Sequence, residues 1–226
     1  MERQIIITED GSTTIYLPEW NEHYHSKFGA IQESRHVFIQ KGLSLFSNQK
    51  ISVLEIGFGT GLNCLLTFLE AEQGKLEIEY VGVEAYPISR GEVEGLNYIS
   101  VLKNKKLTVI FEELHLSPWE VKNKISSNFS LEKREQFFQE INDKDRFDLI
   151  YFDAFGPQVQ PELWTEVPFK KMFDTLKSGG VLVTYSARGS VRRAMQSAGF
   201  AVERLEGPPG KREMLRAIKP NQPCDK

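Results

Sequence analysis

The stretch Ile51-Ser52-Val53-Leu54-Glu55-Ile56-Gly57-Phe58-Gly59-Thr60-Gly61-Leu62-Asn63 decides the fold. Its first half is an apolar run of strand length, and its second half places glycine at every other position. Such a run closed by glycines reads as a buried strand entering a turn. The amphipathic segment 62–70 then reads as a helix. Glycines at that junction let a nucleotide-like ligand approach the backbone, where a side chain would hold it off. The third glycine comes one residue earlier than the dinucleotide fingerprint requires, which points away from a dehydrogenase. An ordinary glycine-rich turn between strand and helix is the plainer alternative for this segment taken alone.

Working outward, strands are predicted over 51–56, 77–84, 107–112, 147–152 and 181–185. Helices are predicted over 31–45, 62–70, 88–102, 168–176 and 189–198. Ile5-Ile6-Ile7 and Thr13-Thr14-Ile15-Tyr16 flank Asp10-Gly11, a hairpin signal. Residues 19–28 are aromatic and polar, with Trp20, His23, Tyr24 and His25. Segment 114–144, with Trp119 and an amphipathic 131–141, reads as an inserted helical element. Strands over 200–205 and 213–218 are joined by Gly207-Pro208-Pro209-Gly210, a loop too short for a parallel return, so that pair is antiparallel. The alternation predicts an α/β fold: a Rossmann-like, mostly parallel sheet with an antiparallel C-terminal hairpin, an N-terminal β-hairpin and a helical insert. The expected organisation is one domain over 1–226, with an extension over 1–45 and a mobile tail over 220–226.

The composition narrows the function. With 226 residues, 40% of them apolar, the chain has enough material for a real core. No apolar run approaches the roughly 20 residues of a membrane span, and the start of the chain lacks an apolar signal core. The two cysteines, Cys64 and Cys224, argue against a disulfide or a zinc site and for a reducing cytoplasm. The four histidines lack metal-ligand spacing with them, so no metal is expected. A net charge of −3 disfavours a broadly basic nucleic-acid binder and leaves room for a local patch.

Two carboxylates stand out. Glu84 ends the second predicted strand and is placed to accept the ribose hydroxyls of a bound nucleoside; a surface carboxylate at a loop start is the alternative. Asp153 ends the fourth strand in Tyr151-Phe152-Asp153-Ala154-Phe155-Gly156-Pro157. Ligands of open parallel sheets lie beyond the strand C-termini at the switch in strand order, which the first and fourth strands flank. Asp153 is thus a candidate catalytic residue, with Phe155 and Pro157 as pocket walls, against the alternative of an aspartate capping a turn. Arg188, Arg192, Arg193, Arg204, Lys211, Arg212 and Arg216 cluster late. Of these, Arg192, Arg193, Lys211 and Arg212 are candidates for RNA phosphates, or else a solvated helix face and a hairpin turn.

Together, 57–63, Asp153-Ala154-Phe155-Gly156-Pro157, Gly210-Lys211-Arg212-Glu213-Met214-Leu215 and the early run 24–38, which opens Tyr24-His25-Ser26-Lys27-Phe28, resemble the methyltransferase domain of the MnmC family. The similarity runs from about Tyr24 to Leu215. It implies a class I fold dependent on S-adenosylmethionine, with Glu55, Gly57, Phe58, Gly59, Gly61, Asn63, Glu84 and Glu33 as cofactor contacts. It also implies a substrate side formed by Tyr24, Ser26, Phe155, Pro157, Lys211, Arg212, Glu213, Arg192 and Arg193, with Glu33 facing the methionine amino group. Tyr24 and Phe28 packing on the sheet edge, with Glu33 as a surface charge, is the alternative. The implied reaction is N-methylation of 5-aminomethyl-(2-thio)uridine at the tRNA wobble position, on the anticodon region, giving the 5-methylaminomethyl form. A stand-alone version is expected, since the chain ends before the oxidoreductase domain often fused to this one, so separate enzymes would supply the amine. Two readings compete: an aminopropyl or small-amine transferase on the same sheet, and a non-catalytic RNA-binding module.

Overall fold

A computed structural model describes residues 2–221; Cys224 and most of the tail expected over 220–226 lie outside the described residues. A small antiparallel sheet comes first: β1 (Gln4–Ile7), β2 (Thr13–Leu17) and β3 (Glu22–His23). The expected N-terminal hairpin is β1 and β2, paired from Gln4 with Tyr16 to Ile7 with Thr13. Next comes α1 (Ala30–Ser34), which widens into a π-turn over Arg35–Gln40 before a 3-10 turn over Leu43–Leu45. The single helix expected over 31–45 is therefore three short pieces.

The main sheet has eight strands. Its centre is β4 (Lys50–Ile56), β5 (Glu77–Glu84), β7 (Phe129–Glu135), β8 (Phe147–Phe152) and β9 (Leu176–Thr184), all parallel. The edges are β6 (Lys122–Lys124) on one side and β10 (Ala201–Glu206) with β11 (Glu213–Ile218) on the other, all antiparallel. The order is β10-β11-β9-β8-β4-β5-β7-β6. Strand order therefore switches between β4 and β8, the two strands that carry the glycine turn and Asp153.

Helices cover both faces. On one lie α2 (Leu62–Gly74), α4 (Tyr98–Leu102) and α5 (Leu107–Leu116), sharing a core with Val53, Tyr80, Phe129 and Leu131. On the other lie α6 (Glu166–Thr175) and α7 (Gly189–Ser197), packed on Leu54, Ile150, Phe152 and Leu182. Leu65 and Leu66 are fully buried, and each such side chain contributes about 1.5–3 kcal/mol to the folded state. The helix expected over 88–102 is broken at Gly95-Leu96-Asn97 into α3 (Arg90–Glu94) and α4.

The third parallel strand is where the sequence reading needs correction. Residues 107–112 are helical within α5, because the buried side chains Leu107, Phe111 and Leu114 recur at helical spacing. The β-branched Thr108, Val109 and Ile110 mimic a strand. The real strand is β7, inside the expected helical insert. Its alternate residues Phe129, Leu131 and Lys133 face the core, the period of a strand. Its charges disguise it. Lys133 is only 1% exposed, donates to the His115 carbonyl at 2.7 Å and lies 4.9 Å from the Trp119 ring centre; burial lowers its ammonium to about 8. On the opposite face, Arg134 bonds Glu132 and Asp143.

Candidate active site

A cavity of about 920 Å³ opens beyond the C-terminal ends of β4, β5 and β8 and reaches across to the small N-terminal sheet. Separate stretches of the chain build it: residues 17–33, the glycine turn, the end of β5, residues 137–139, the loop after β8, Tyr185 and the final hairpin at Lys211.

The glycine turn forms the floor. Gly57 has φ +89, and a Cβ on it would come within 2.7 Å of the Asp153 carbonyl oxygen, so the turn and the loop after β8 touch backbone to backbone. Phe58, Gly59 and Asn63 also line the cavity. Gly61 instead caps α2 in a left-handed conformation and faces the His115 ring, outside the cavity. Glu55 is also out of reach. It is fully buried beneath the floor, where it accepts from Tyr80 Oη at 2.8 Å and Asn63 Nδ2 at 2.9 Å. Burial drives its carboxyl well above the ordinary value. It positions Asn63 rather than touching a ligand.

Glu84 lies at one end. Its carboxylate accepts the Gly59 and Tyr86 N–H groups at 2.9 and 3.0 Å, and a carboxylate has lone pairs left for two further donors. Tyr86 and Phe137 stand beside it with ring centres 6.0 Å apart. At the other end is Asp153. The same Asn63 amide that holds Glu55 donates to Asp153 Oδ2 at 2.8 Å. Burial first, and then the Glu33 charge, raise the Asp153 carboxyl to about 7, while the Asn63 bond and Lys211 oppose the rise.

The segment after β3 closes the Asp153 end. Tyr24 and Trp20 pack edge-on against Phe155 from two sides, at 5.1 and 5.4 Å. The Phe155 carbonyl is fixed by the Trp164 indole N–H at 2.8 Å. Burial pushes the Tyr24 hydroxyl up to about 12, so it remains protonated. Glu33, 7% exposed, accepts the Ser26 N–H at 2.7 Å and the Lys211 ammonium at 2.5 Å. Lys211 also sits 4.1 Å from the centre of the Tyr185 ring. The hairpin turn before it is pressed onto Phe28: Gly210 has φ +82, and a Cβ there would strike that ring.

Several expected contacts are therefore relocated. Lys211 is an inward partner of Glu33, not a free phosphate ligand, and Glu33 already holds two donors. Pro157 does not line the cavity. Arg193 and Arg212 are exposed away from it. Glu213 pairs with Arg204 at 3.3 Å. Arg192 is half-buried with its Nε unpartnered among the described residues. Trp20, Gln158, Trp164 and Tyr185 escaped the sequence reading. The aromatic content of 19–28 was the available signal for Trp20; nothing local marks Tyr185, which joins the site only through the sheet order. Among the described residues no three His, Cys, Asp or Glu side chains are grouped to hold a metal ion.

Residues 103–220 match the sequence profile of a family described as S-adenosyl-L-methionine-dependent methyltransferase. The chain belongs to that family. Curated relatives include the tRNA 5-methylaminomethyl-2-thiouridine biosynthesis bifunctional protein MnmC of Idiomarina loihiensis, 29% identical over 87% of this chain and 35% of the relative. The protein of the same name from Burkholderia thailandensis is 30% identical over 93% of this chain and 34% of its own length. The methyltransferase thus spans about a third of the length of these relatives. Among solved structures, MNMC2 from Aquifex aeolicus superposes with a TM-score of 0.76 at 25% identity, covering 98% of this chain and 72% of that one. Spermidine synthase from Thermotoga maritima, at 17% identity and a TM-score of 0.55, shares the fold alone.

The site fits S-adenosylmethionine. The cavity has the volume of a small-ligand site, Gly57 lets the glycine turn lie against the loop after β8, and Glu84 is set at a strand end with spare acceptors. Glu84 would take the ribose hydroxyls, and the backbone of 57–59 would face the methionine part. When bound, the cofactor supplies an electrophilic methyl group on a sulfonium sulfur.

Proposed function

We propose that this methyltransferase acts on the primary amine of 5-aminomethyl-(2-thio)uridine at the wobble position of tRNA, giving the 5-methylaminomethyl form, in the cytoplasm. The names of its relatives motivate the substrate. The observation that carries the reading is Asp153, a carboxylate at the switch between β4 and β8 whose one side-chain donor among the described residues, Asn63, is itself anchored on Glu55.

The chemistry asks for little beyond alignment. An amine must be neutral to attack, and correct placement of two reactants is worth roughly 7–11 kcal/mol of barrier. Asn63 holds Oδ2 of Asp153, which leaves Oδ1 to accept an N–H from the incoming amine and orient its lone pair. With its carboxyl near 7, Asp153 is also matched to take the proton released once the new C–N bond has formed. Tyr24 and Phe155 wall this end. The exposure of Arg193 and Arg212 outside the cavity supports a role for both toward the phosphates of the anticodon stem.

The test is methyl transfer from labelled S-adenosylmethionine to tRNA carrying 5-aminomethyluridine at the wobble position, followed by nucleoside mass spectrometry. Conversion to the 5-methylaminomethyl nucleoside is the expected result. Cofactor binding without transfer to this RNA would overturn the substrate reading and leave the methyltransferase fold standing.

A further inference from the structure

Trp20 is the most exposed of three rings joined edge-on through Phe155 at the Asp153 end of the cavity. Phe155 and Tyr24 are recessed, whereas Trp20 is 36% exposed at the mouth. The turn that carries it is tightly held. The Trp20 and Asn21 N–H groups donate to the Leu17 and Pro18 carbonyls, both at 3.2 Å, Asn21 takes φ +49, and its side chain accepts from Tyr16 Oη at 3.0 Å. Two polar side chains that line the cavity with Trp20 are already engaged: Gln158 donates to Glu22 at 2.7 Å and accepts from Arg188 at 2.8 Å. The Trp20 indole N–H has no hydrogen-bond partner among the described residues. The other exposed aromatics on the cavity wall, Tyr86 and Phe137, stand at the Glu84 end, where the nucleoside part of the cofactor belongs.

A pyrimidine within an anticodon loop must leave its stack before its 5-substituent can enter a cavity lined by a carboxylate. The stacking it gives up is recovered on an aromatic face. A ring presented rigidly by a hydrogen-bonded turn loses little freedom on binding. Resting on the tRNA reading above, we propose that Trp20 is the platform on which the extruded wobble pyrimidine stacks, a substrate-specificity residue separate from the methyl-transfer machinery. The indole N–H is then available to a carbonyl or phosphate oxygen of the same nucleotide.

The experiment compares the wild type with Trp20→Ala and Trp20→Phe on an anticodon stem-loop carrying 5-aminomethyluridine, with S-adenosylmethionine affinity measured by calorimetry for all three. Trp20→Ala is expected to keep its cofactor affinity, raise KM for the RNA roughly tenfold or more and change kcat less. Trp20→Phe is expected to recover most of the loss. Titrating the stem-loop into the wild type should quench tryptophan fluorescence, and Trp20→Phe should remove that quench while still binding the RNA. This second readout stands even if Trp20→Ala fails to fold. An unchanged KM in Trp20→Ala, or an unchanged quench in Trp20→Phe, would overturn the stacking role while wild-type turnover leaves the substrate reading intact. No turnover of this RNA by the wild type would overturn both.

Discussion

The two ends of the cavity are built by different means. The Glu84 end is mostly backbone: a glycine turn locked against the loop after β8, with one carboxylate bonded to main-chain N–H groups. The Asp153 end is made mostly of side chains from segments far apart in sequence, with Trp20, Tyr24, Phe155, Tyr185 and Lys211 meeting around the two carboxylates Glu33 and Asp153. A backbone-built end depends on strand order and a few glycines, so it is common to a whole fold. A side-chain end depends on what each flanking segment contributes, and under the proposed function the choice of substrate is made there. Substitutions should therefore divide into two classes, those that lose the cofactor and those that keep it and lose turnover.

The largest effect is expected at the cofactor end. Gly57→Ala forces a side chain into a left-handed conformation against the Asp153 carbonyl. It should cost roughly 3 kcal/mol of stability and abolish measurable S-adenosylmethionine binding, read by thermal melting and calorimetry. Intact cofactor binding in that variant would erase the distinction between the two ends.

Asp153→Asn should separate stability from activity. The folded Asp153 carboxyl lies near 7, above its ordinary value of 3.8, so the folded state holds a proton that the unfolded chain releases. That contribution is present in full below pH 4 and is lost as pH rises through 7. At higher pH the ionised carboxylate is a liability of about 4 kcal/mol at most, reduced to roughly 2 kcal/mol by water at the cavity face. Removing the charge should thus raise Tm above pH 7 and leave it little changed at pH 4. Equal shifts at both pH values would contradict the assigned environment.

A smaller effect sharpens the picture of the Asp153 end. Lys211→Met removes the cation opposing the rise of the Asp153 carboxyl and should move the acid limb of kcat/KM to higher pH by about one unit. Glu33→Gln removes a neighbouring negative charge and should move it the opposite way. Shifts of the same sign in both variants would show that neither side chain acts through charge. The smallest effect belongs outside the cavity. Arg193→Glu and Arg212→Glu should weaken RNA affinity several-fold, less so at high salt, and leave cofactor affinity alone.

This division also explains how much could be read from the sequence. The glycine turn, the strand-end positions of Glu84 and Asp153, and the antiparallel ending were legible because each depends on local spacing or loop length. The third parallel strand was not. Its inward position at Lys133 is a cation, which breaks the apolar alternation, while the β-branched start of α5 imitates a strand. At the site, Glu55 was recognisable as part of a motif, but its side chain points beneath the floor, and only the partners Tyr80 and Asn63 reveal that. Lys211 looked like a surface cation beside a hairpin. Its inward turn depends on Glu33, far away along the chain, and on Phe28 pressing against Gly210. Trp20 and Tyr185 carry no motif; sheet order and the fold of the N-terminal segment bring them to Asp153.

The most direct measurement of the central claim is the S-adenosylmethionine dissociation constant of Asp153→Asn by calorimetry, paired with its single-turnover rate on tRNA bearing the wobble amine. A cofactor affinity within about threefold of the wild type with a rate lowered about 100-fold or more is predicted, since the cofactor is held at the other end and Asp153 orients the amine. Full turnover, or cofactor affinity lost in step with the rate, would contradict the account.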